Sequence, residues 1–190
     1  MTQQEFFEQV LLALDRAGVP YMVTGSVGAM LYGEPRMTND MDVVIDPDPR
    51  QVSVLARAFE GDDFYFPPLD TVFEEIRCRG QFNILHVGSG SKVDLIVRKD
   101  TEFARTEFGR RQVVPFSARV DSSSATPEDI ILAKLIYYRM GSSQKHIDDI
   151  RGILAVSAEV LDLAYLNAWV DRLDLRQVWH MVQPSDASCP

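Results

Sequence analysis

The sequence predicts an α/β fold: a small mixed β-sheet with helices, followed by a C-terminal helical subdomain. Three observations carry this expectation. Short runs rich in β-branched residues, such as Asp40 to Ile45, alternate with amphipathic stretches through the first two thirds of the chain. The last third shows helical spacing only. Gly, Pro and Asp clusters fall between the runs, as turn chemistry requires.

Taken in order, Glu5 to Ala17 carries Phe6, Val10, Leu11 and Leu14 at helical spacing and stops at Gly18. Tyr21 to Thr24 is a short strand that turns at Gly25-Ser26 into an apolar helix, Val27 to Tyr32, closed by Gly33. After a polar loop from Pro35 to Asn39, Asp40 to Ile45 forms a strand ending at the turn Asp46-Pro47-Asp48-Pro49. Pro49 opens a helix over Arg50 to Glu60, whose stripe of Val52, Leu55, Ala56 and Phe59 lies across the sheet. Asp62 to Glu75 reads as irregular. Gln81 to Val87 and Ser91 to Arg98 form a β-hairpin around Gly88-Ser89-Gly90-Ser91. Arg110 to Val120, broken by Pro115, is at best an edge strand, and Ser122-Ser123-Ser124 reads as a connection to the second part. Thr126, Pro127 and Asp129 supply an N-cap hydroxyl, a proline at the first helical position and an acid three residues after the cap, so a helix runs to Gly141. Helices follow around Gln144 to Ala155 and Asp162 to Leu173, with a short amphipathic tail up to Gln183. The expected division is 1–121 for the α/β core and 122–190 for the helical subdomain.

Composition narrows the function classes. A chain of 190 residues, 46% hydrophobic and 25% charged, buries roughly 70% of its unfolded surface and needs no metal or disulfide to hold together. Nineteen Lys and Arg against twenty-eight Asp and Glu give a net charge of −9, which opposes a broad nucleic-acid surface; any nucleic acid has to meet a local basic site. Cys78 and Cys189 form neither a disulfide framework nor a zinc spacing. Met1 to Glu5 carries an acid where an export signal needs basic charge, and no apolar run approaches the ~18 residues of a membrane span. A cytoplasmic protein without membrane contact is expected.

Asp40 and Asp42 lie two apart in a strand, so both side chains share one face while Met41 and Val43 take the other. Two such carboxylates repel unless a divalent cation lies between them, and oxygen-only ligation suits magnesium. Alone, the pair reads more simply as solvated turn acids. In Lys92 to Arg98, however, Val93, Leu95 and Val97 share one face, and Asp94 is the acid on the other, among Lys92, Ile96 and Arg98. A third carboxylate is thereby available from a neighbouring strand. Gly25-Ser26 is either an ordinary turn or one whose N–H groups and hydroxyl, at the mouth of a helix, hold a phosphate.

Gly25-Ser26, a thirteen-residue spacer and Asp40-Met41-Asp42-Val43, with Asp94 on a later strand, resemble the signature of the polymerase-β-type nucleotidyltransferase superfamily; Thr24 stands where the family pattern is apolar. Arg36-Met37-Thr38-Asn39-Asp40 resembles the Arg-x-Thr-x-Asp found before this strand in bacterial stand-alone members. Thr126 to Lys134, continuing to Arg139 and Asp148-Asp149-Ile150, is similar to AbiEii-like and toxin-type nucleotidyltransferases, with Asp148 where those carry a basic residue. The resemblance implies that Asp40, Asp42 and Asp94 bind two magnesium ions, with manganese as a substitute, to activate a hydroxyl and hold a nucleoside triphosphate. It implies nucleotide-binding roles for Gly25, Ser26, Arg36, Thr38 and Lys134, and a catalytic site completed by Lys134 and Asp149. The implied activity is transfer of a nucleoside monophosphate to RNA or protein, with a small molecule such as an aminoglycoside served by the same carboxylates. A cognate antitoxin or partner protein is the implied associate. The other reading is a non-catalytic interaction module of a toxin-antitoxin pair that keeps the fold.

Read from spacing, the remaining candidates stay open. Lys134 either offers its amine to a triphosphate as a point charge or snorkels at the surface. Asp149 equally fits a solvated acid paired to Lys145 at i−4. Tyr137 and Tyr138 read as core more than as base-stacking rings. His86, His146 and His180 show no metal spacing. Arg105 and Arg110-Arg111, the densest basic cluster, suit an RNA backbone or a charge-protected strand edge.

Overall fold

Residues 1–183 are described by the structure, a computed structural model. Cys189 therefore lies outside the described residues. Contacts sort the chain into two units: Met1–Gly28 with Met37–Ala125, and Ala29–Arg36 with the chain from Thr126 onward.

The first unit holds the sheet. Helix α1 (Gln3–Ala17) starts at a capping box in which the Thr2 hydroxyl accepts from the Glu5 amide and the Glu5 carboxylate from the Thr2 amide, and it stops at Gly18 in the left-handed conformation. Strand β1 (Tyr21–Thr24) leads into α2 (Gly25–Met30), a six-residue helix whose last two residues belong to the second unit. Strand β2 (Asp40–Ile45) precedes α3 (Pro49–Arg57), which has a second capping box at Asp48 and Gln51. There follow β3 (Phe64–Tyr65), α4 (Leu69–Cys78), β4 (Gln81–His86), β5 (Ser91–Val97), α5 (Glu102–Arg110), β6 (Gln112–Pro115) and β7 (Asp121–Ser124). The seven strands among the described residues form one mixed sheet in the order β3-β4-β5-β2-β1-β7-β6. Strand β2 is antiparallel to β1 and parallel to β5, which sets the two acid-bearing strands side by side.

Period-two burial follows the sequence alternation. Met41, Val43 and Ile45 of β2 and Val93, Leu95 and Val97 of β5 are buried, while their neighbours on both strands are only partly covered. The core thus occupies one face of these strands, beneath α1 and its Phe6, Val10, Leu11 and Leu14. Fold class, hairpin and mixed pairing agree with the sequence expectation.

Several elements correct it. The stretch expected to be irregular from Asp62 to Glu75 holds β3 and most of α4; this helix lacks a side-chain cap and buries one side chain, Val72, so its sequence signal is weak. Ser122 to Ser124 is not a connection but part of β7, paired parallel to β1 and antiparallel to β6. Its buried Ser122 and Ser124 hydroxyls bond each other at 2.9 Å, which satisfies them without any apolar pattern. Arg105 and Arg110 sit on α5, capped by Thr101, and not on a strand; the edge strand β6 begins after them. The helix expected over Val27 to Tyr32 begins at Gly25 and ends at Met30.

The second unit is helical: α6 (Pro127–Gly141), α7 (Gln144–Ser157), a 3-10 turn at Ala158–Val160, α8 (Leu163–Arg172) and α9 (Arg176–Val182). Thr126 caps α6 as its sequence predicts, accepting from the Asp129 amide. Ile130, Ile131, Leu135, Ile150, Ile153, Leu166, Val170 and Trp179 make its core. The segment Ala29–Arg36 packs on α7 through glycine: a Cβ on Gly33 would come within 2.9 Å of the Gly152 carbonyl carbon and the Ile153 nitrogen. Among the described residues no helix is long and apolar enough to cross a membrane.

Candidate functional site

Register decides where the three acids stand. Asp42 pairs with Asp94 and Asp40 with Lys92 across the parallel β2–β5 ladder, so Asp40, Asp42, Asp94 and Lys92 share the sheet face opposite the core. The Thr38 hydroxyl donates to Asp40 Oδ1 at 2.9 Å and to the Asp40 carbonyl at 3.2 Å, tying this residue to the loop before the strand. Asp94 Oδ2 is 2.7 Å from Lys92 Nζ. This hydrogen bond, with the charges of Asp94, Asp40 and Asp42, holds the Lys92 ammonium above its ordinary pKa against the opposing effect of burial.

Gly25 explains its own identity twice. Its φ of +65° lies in the left-handed region, and a Cβ there would stand 2.0 Å from Asp42 Oδ2. The turn therefore brings its backbone against the Asp42 carboxylate as no other residue can. Ser26 follows it as the second residue of α2.

The second unit gathers the other predicted residues. Lys134 Nζ on α6 donates to Asp149 Oδ2 on α7 at 2.6 Å, and Arg36 donates to the same carboxylate through Nε to Oδ1 at 2.7 Å and Nη2 to Oδ2 at 3.1 Å. Lys134 and Asp149 are both buried. Burial alone would raise the Asp149 carboxyl, but the hydrogen bonds and charges of Arg36 and Lys134 outweigh it and hold its pKa below the usual value. Lys134 is thus neither a snorkelling surface amine nor an open point charge, and Asp149 is not paired to Lys145. One helical turn along the same hairpin, the Tyr137 and His146 rings stack with centroids 5.9 Å apart. Tyr137 is exposed, contrary to its reading as core. His146 Nδ1 is buried without a hydrogen-bond partner, and burial followed by the Lys134 charge lowers the imidazole pKa. A cavity of about 210 Å³ opens beside this network, lined by Ala29, Glu34, Pro35, Arg36, Asp148, Asp149 and Gly152.

Other candidates resolve simply. His86 Nδ1 pairs with the Ser89 hydroxyl at 2.8 Å inside the β4–β5 turn, a hairpin and not a phosphate loop. Arg105 pairs with Asp100 at 2.7 Å, and the Arg111 guanidinium lies over the Phe108 ring.

Among the described residues no group of three His, Cys, Asp or Glu side chains is gathered as a cation site. In this arrangement Asp94 is turned to Lys92 and Asp40 to Thr38. The donor chemistry still fits a hard divalent cation, with oxygen-only ligands on facing positions of adjacent strands and an open glycine turn against Asp42. Lys92 is the residue that spacing alone left in the background, since its ion pair depends on where the side chains turn within the ladder.

Comparison with solved structures places this architecture. The antibiotic-resistance factor ANT(2'')-Ia, in complex with adenylyl-2''-tobramycin, matches 94% of the chain over 99% of its own length at 17% identity and a TM-score of 0.56. JHP933 from Helicobacter pylori matches 97% of the chain and 80% of its own at 15% identity and a TM-score of 0.53. The chain has the nucleotidyltransferase fold. An antigenic nucleotidyltransferase-like protein from Paracoccidioides brasiliensis shares that fold over 81% of this chain and 75% of its own, at 22% identity and a TM-score of 0.51. No protein-family profile matches the chain, and no curated protein does.

Proposed function

We propose that the protein is a magnesium-dependent nucleotidyltransferase that moves a nucleoside monophosphate from a nucleoside triphosphate to a hydroxyl acceptor and releases pyrophosphate. One observation carries this reading: Asp42 stands opposite Asp94 with Asp40 on the same face, against a turn that only glycine can make. Asp40, Asp42 and Asp94 would hold the ion, which when bound supplies Lewis-acid activation of the hydroxyl and neutralises phosphate charge. The Gly25-Ser26 turn binds phosphate oxygens through backbone N–H groups and the Ser26 hydroxyl. Thr38 orients Asp40, and within the second unit Asp149 holds the cations Arg36 and Lys134. The acceptor oxygen bonds to the α-phosphorus, the bond from that phosphorus to the bridging oxygen breaks with its electron pair leaving on pyrophosphate, and the hydroxyl proton departs over the acidic face.

RNA or protein is the acceptor supported by the similarity to toxin-type members, in the cytoplasm and with a cognate antitoxin or partner protein as associate. A small cationic polyol is a second reading, supported by the net charge of −9 and by the adenylylated aminoglycoside held by ANT(2'')-Ia. The test incubates the protein with labelled triphosphates and magnesium, offering total RNA, extract protein and tobramycin in separate arms. Label is expected to move with the wild type and to fall by orders of magnitude with Asp40→Asn plus Asp42→Asn. Equal label with the double variant marks a contaminant and ends the catalytic reading; no transfer in any arm leaves a binding module of the same fold.

A further inference from the structure

Resting on the reading of the acidic face as the site of a divalent cation, we propose that Lys92 is the counter-cation of that face and makes metal loading depend on a polyphosphate. In this arrangement an entering divalent ion displaces the ammonium from Asp94, and the ammonium then takes a polyphosphate oxygen as its new partner.

The register supplies the first step of the argument. Lys92 is two residues from Asp94 on β5 and opposite Asp40 on β2, so strand geometry fixes its side chain on the acid face and not beside it. Its ammonium is 2.7 Å from Asp94 Oδ2, and the charges of Asp40 and Asp42 also act on it. A magnesium ion on the same carboxylate, about 2.1 Å from its oxygen, would stand within a few ångströms of that ammonium, and the repulsion between the two cations disfavours holding both. The lysine and the metal therefore compete for Asp94.

Charge counting supplies the second step. Three carboxylates and one ammonium give the face a formal charge of −2, so one divalent ion neutralises it and a second leaves it at +2. Only an anion brought in with the ions restores balance, and a polyphosphate is the anion this fold is read to bind. Lysine suits the exchange. Its ammonium is a compact point charge on a flexible four-carbon stem, so it can change partner without moving the strand, and its side chain is 35% exposed. Linkage makes the consequence reciprocal: if polyphosphate relieves the competition for metal, metal raises polyphosphate affinity by the same factor.

The experiment titrates Mn²⁺ into the full chain and follows the free-ion electron paramagnetic resonance signal, with and without an α,β-methylene triphosphate analogue that cannot be turned over. Wild type is expected to bind free Mn²⁺ weakly and to bind it at least about tenfold more tightly with the analogue, inside the usual span of coupling between sites. Lys92→Met is expected to tighten binding of Mn²⁺ alone by a similar factor and to lose most of the enhancement by analogue. Lys92→Arg, which keeps the charge, should keep weak binding of Mn²⁺ alone; Lys92→Gln repeats the comparison if the methionine variant fails to fold. Unchanged affinity for Mn²⁺ alone in Lys92→Met and Lys92→Gln overturns the role of Lys92 while leaving the metal site standing. Failure of the wild type to take up Mn²⁺ under either condition overturns the reading of the acidic face itself, and the role of Lys92 falls with it.

Discussion

Lys134 and Asp149 meet at 2.6 Å across the hairpin of α6 and α7, both buried, and Arg36 grips the other side of the same carboxylate. One acid thus serves two cations, which makes the consequences of its removal unequal. Asp149→Ala leaves a buried ammonium without this carboxylate and is expected to cost about 3–5 kcal/mol. Lys134→Met keeps the volume, and Arg36 still pairs with Asp149, so its cost should be smaller. Denaturant unfolding of both variants checks the order; a larger loss for Lys134→Met would mean that the lysine's burial, and not its charge pairing, holds the hairpin.

Acid should weaken the fold in two separate windows. His146 has a folded pKa below its ordinary 6.5, so the unfolded chain takes up its proton first. Its contribution is complete above about pH 6.5 and is lost as pH falls toward the lower folded value. Asp149 is also depressed in the fold, from an ordinary 3.8, so its contribution is present above that value and lost as pH falls through the folded pKa. Thermal melts from pH 8 to pH 2 should show a decline between pH 8 and pH 5 in the wild type that His146→Phe reduces, and a second decline below about pH 3.8 that Asp149→Asn flattens. A slope between pH 8 and pH 5 that is the same in His146→Phe assigns the first window to another group.

The approach of Gly33 to α7 gives a prediction without any charge. Added methyl carbon at Gly33 would lie 2.9 Å from backbone atoms of Gly152 and Ile153, and backbone cannot swing aside as a long side chain does. Gly33→Ala is therefore expected to cost about 1–3 kcal/mol by overpacking. Gly141→Ala, at a helix position with nothing near its Cβ, is the control and should be neutral or slightly stabilising. Equal midpoints for the two variants in denaturant would show that the Ala29–Arg36 segment does not pack on α7 as described.

Period-two alternation made the acid-bearing strands legible, because Met41, Val43, Val93 and Leu95 mark the core face and leave Asp40, Asp42 and Asp94 on the other. Strong caps did the same for the helices starting at Pro49 and Pro127. Strand β7 was illegible for the opposite reason: Asp121 to Ser124 has no apolar alternation, and its place comes from its ladder to neighbouring β6 and from a parallel ladder to β1, which lies far away in sequence. Asp149 shows the limit for charges. Local spacing offered Lys145 as its partner, whereas the folded chain gives it Lys134 and Arg36, because a buried carboxylate takes the cations that share its desolvated site. The pairing of Lys92 with Asp94 needed side-chain placement as well as strand face, and spacing supplies only the second.

Gly25 and Asp42 form the tightest constraint at the acidic face, and a double-mutant cycle isolates it. Gly25→Ala meets two costs: a left-handed φ of +65°, worth about 1 kcal/mol or somewhat more for a residue with a Cβ, and a clash 2.0 Å from Asp42 Oδ2. Asp42→Ala removes the carboxylate but leaves the Asp42 Cβ 2.9 Å from the added methyl and the backbone strain in place, so it relieves the larger part of the clash and not all of it. The loss in the double variant should therefore fall short of the sum of the single losses by about 0.5–3 kcal/mol, the usual range for residues in contact. In the transfer assay Gly25→Ala should lose far more activity than stability, because displacing Asp42 disturbs its place opposite Asp94 while the core face, with Met41 and Val43, is untouched. Strict additivity in unfolding would show that the alanine is accommodated without moving Asp42, and Gly25 would then be required for its backbone conformation alone.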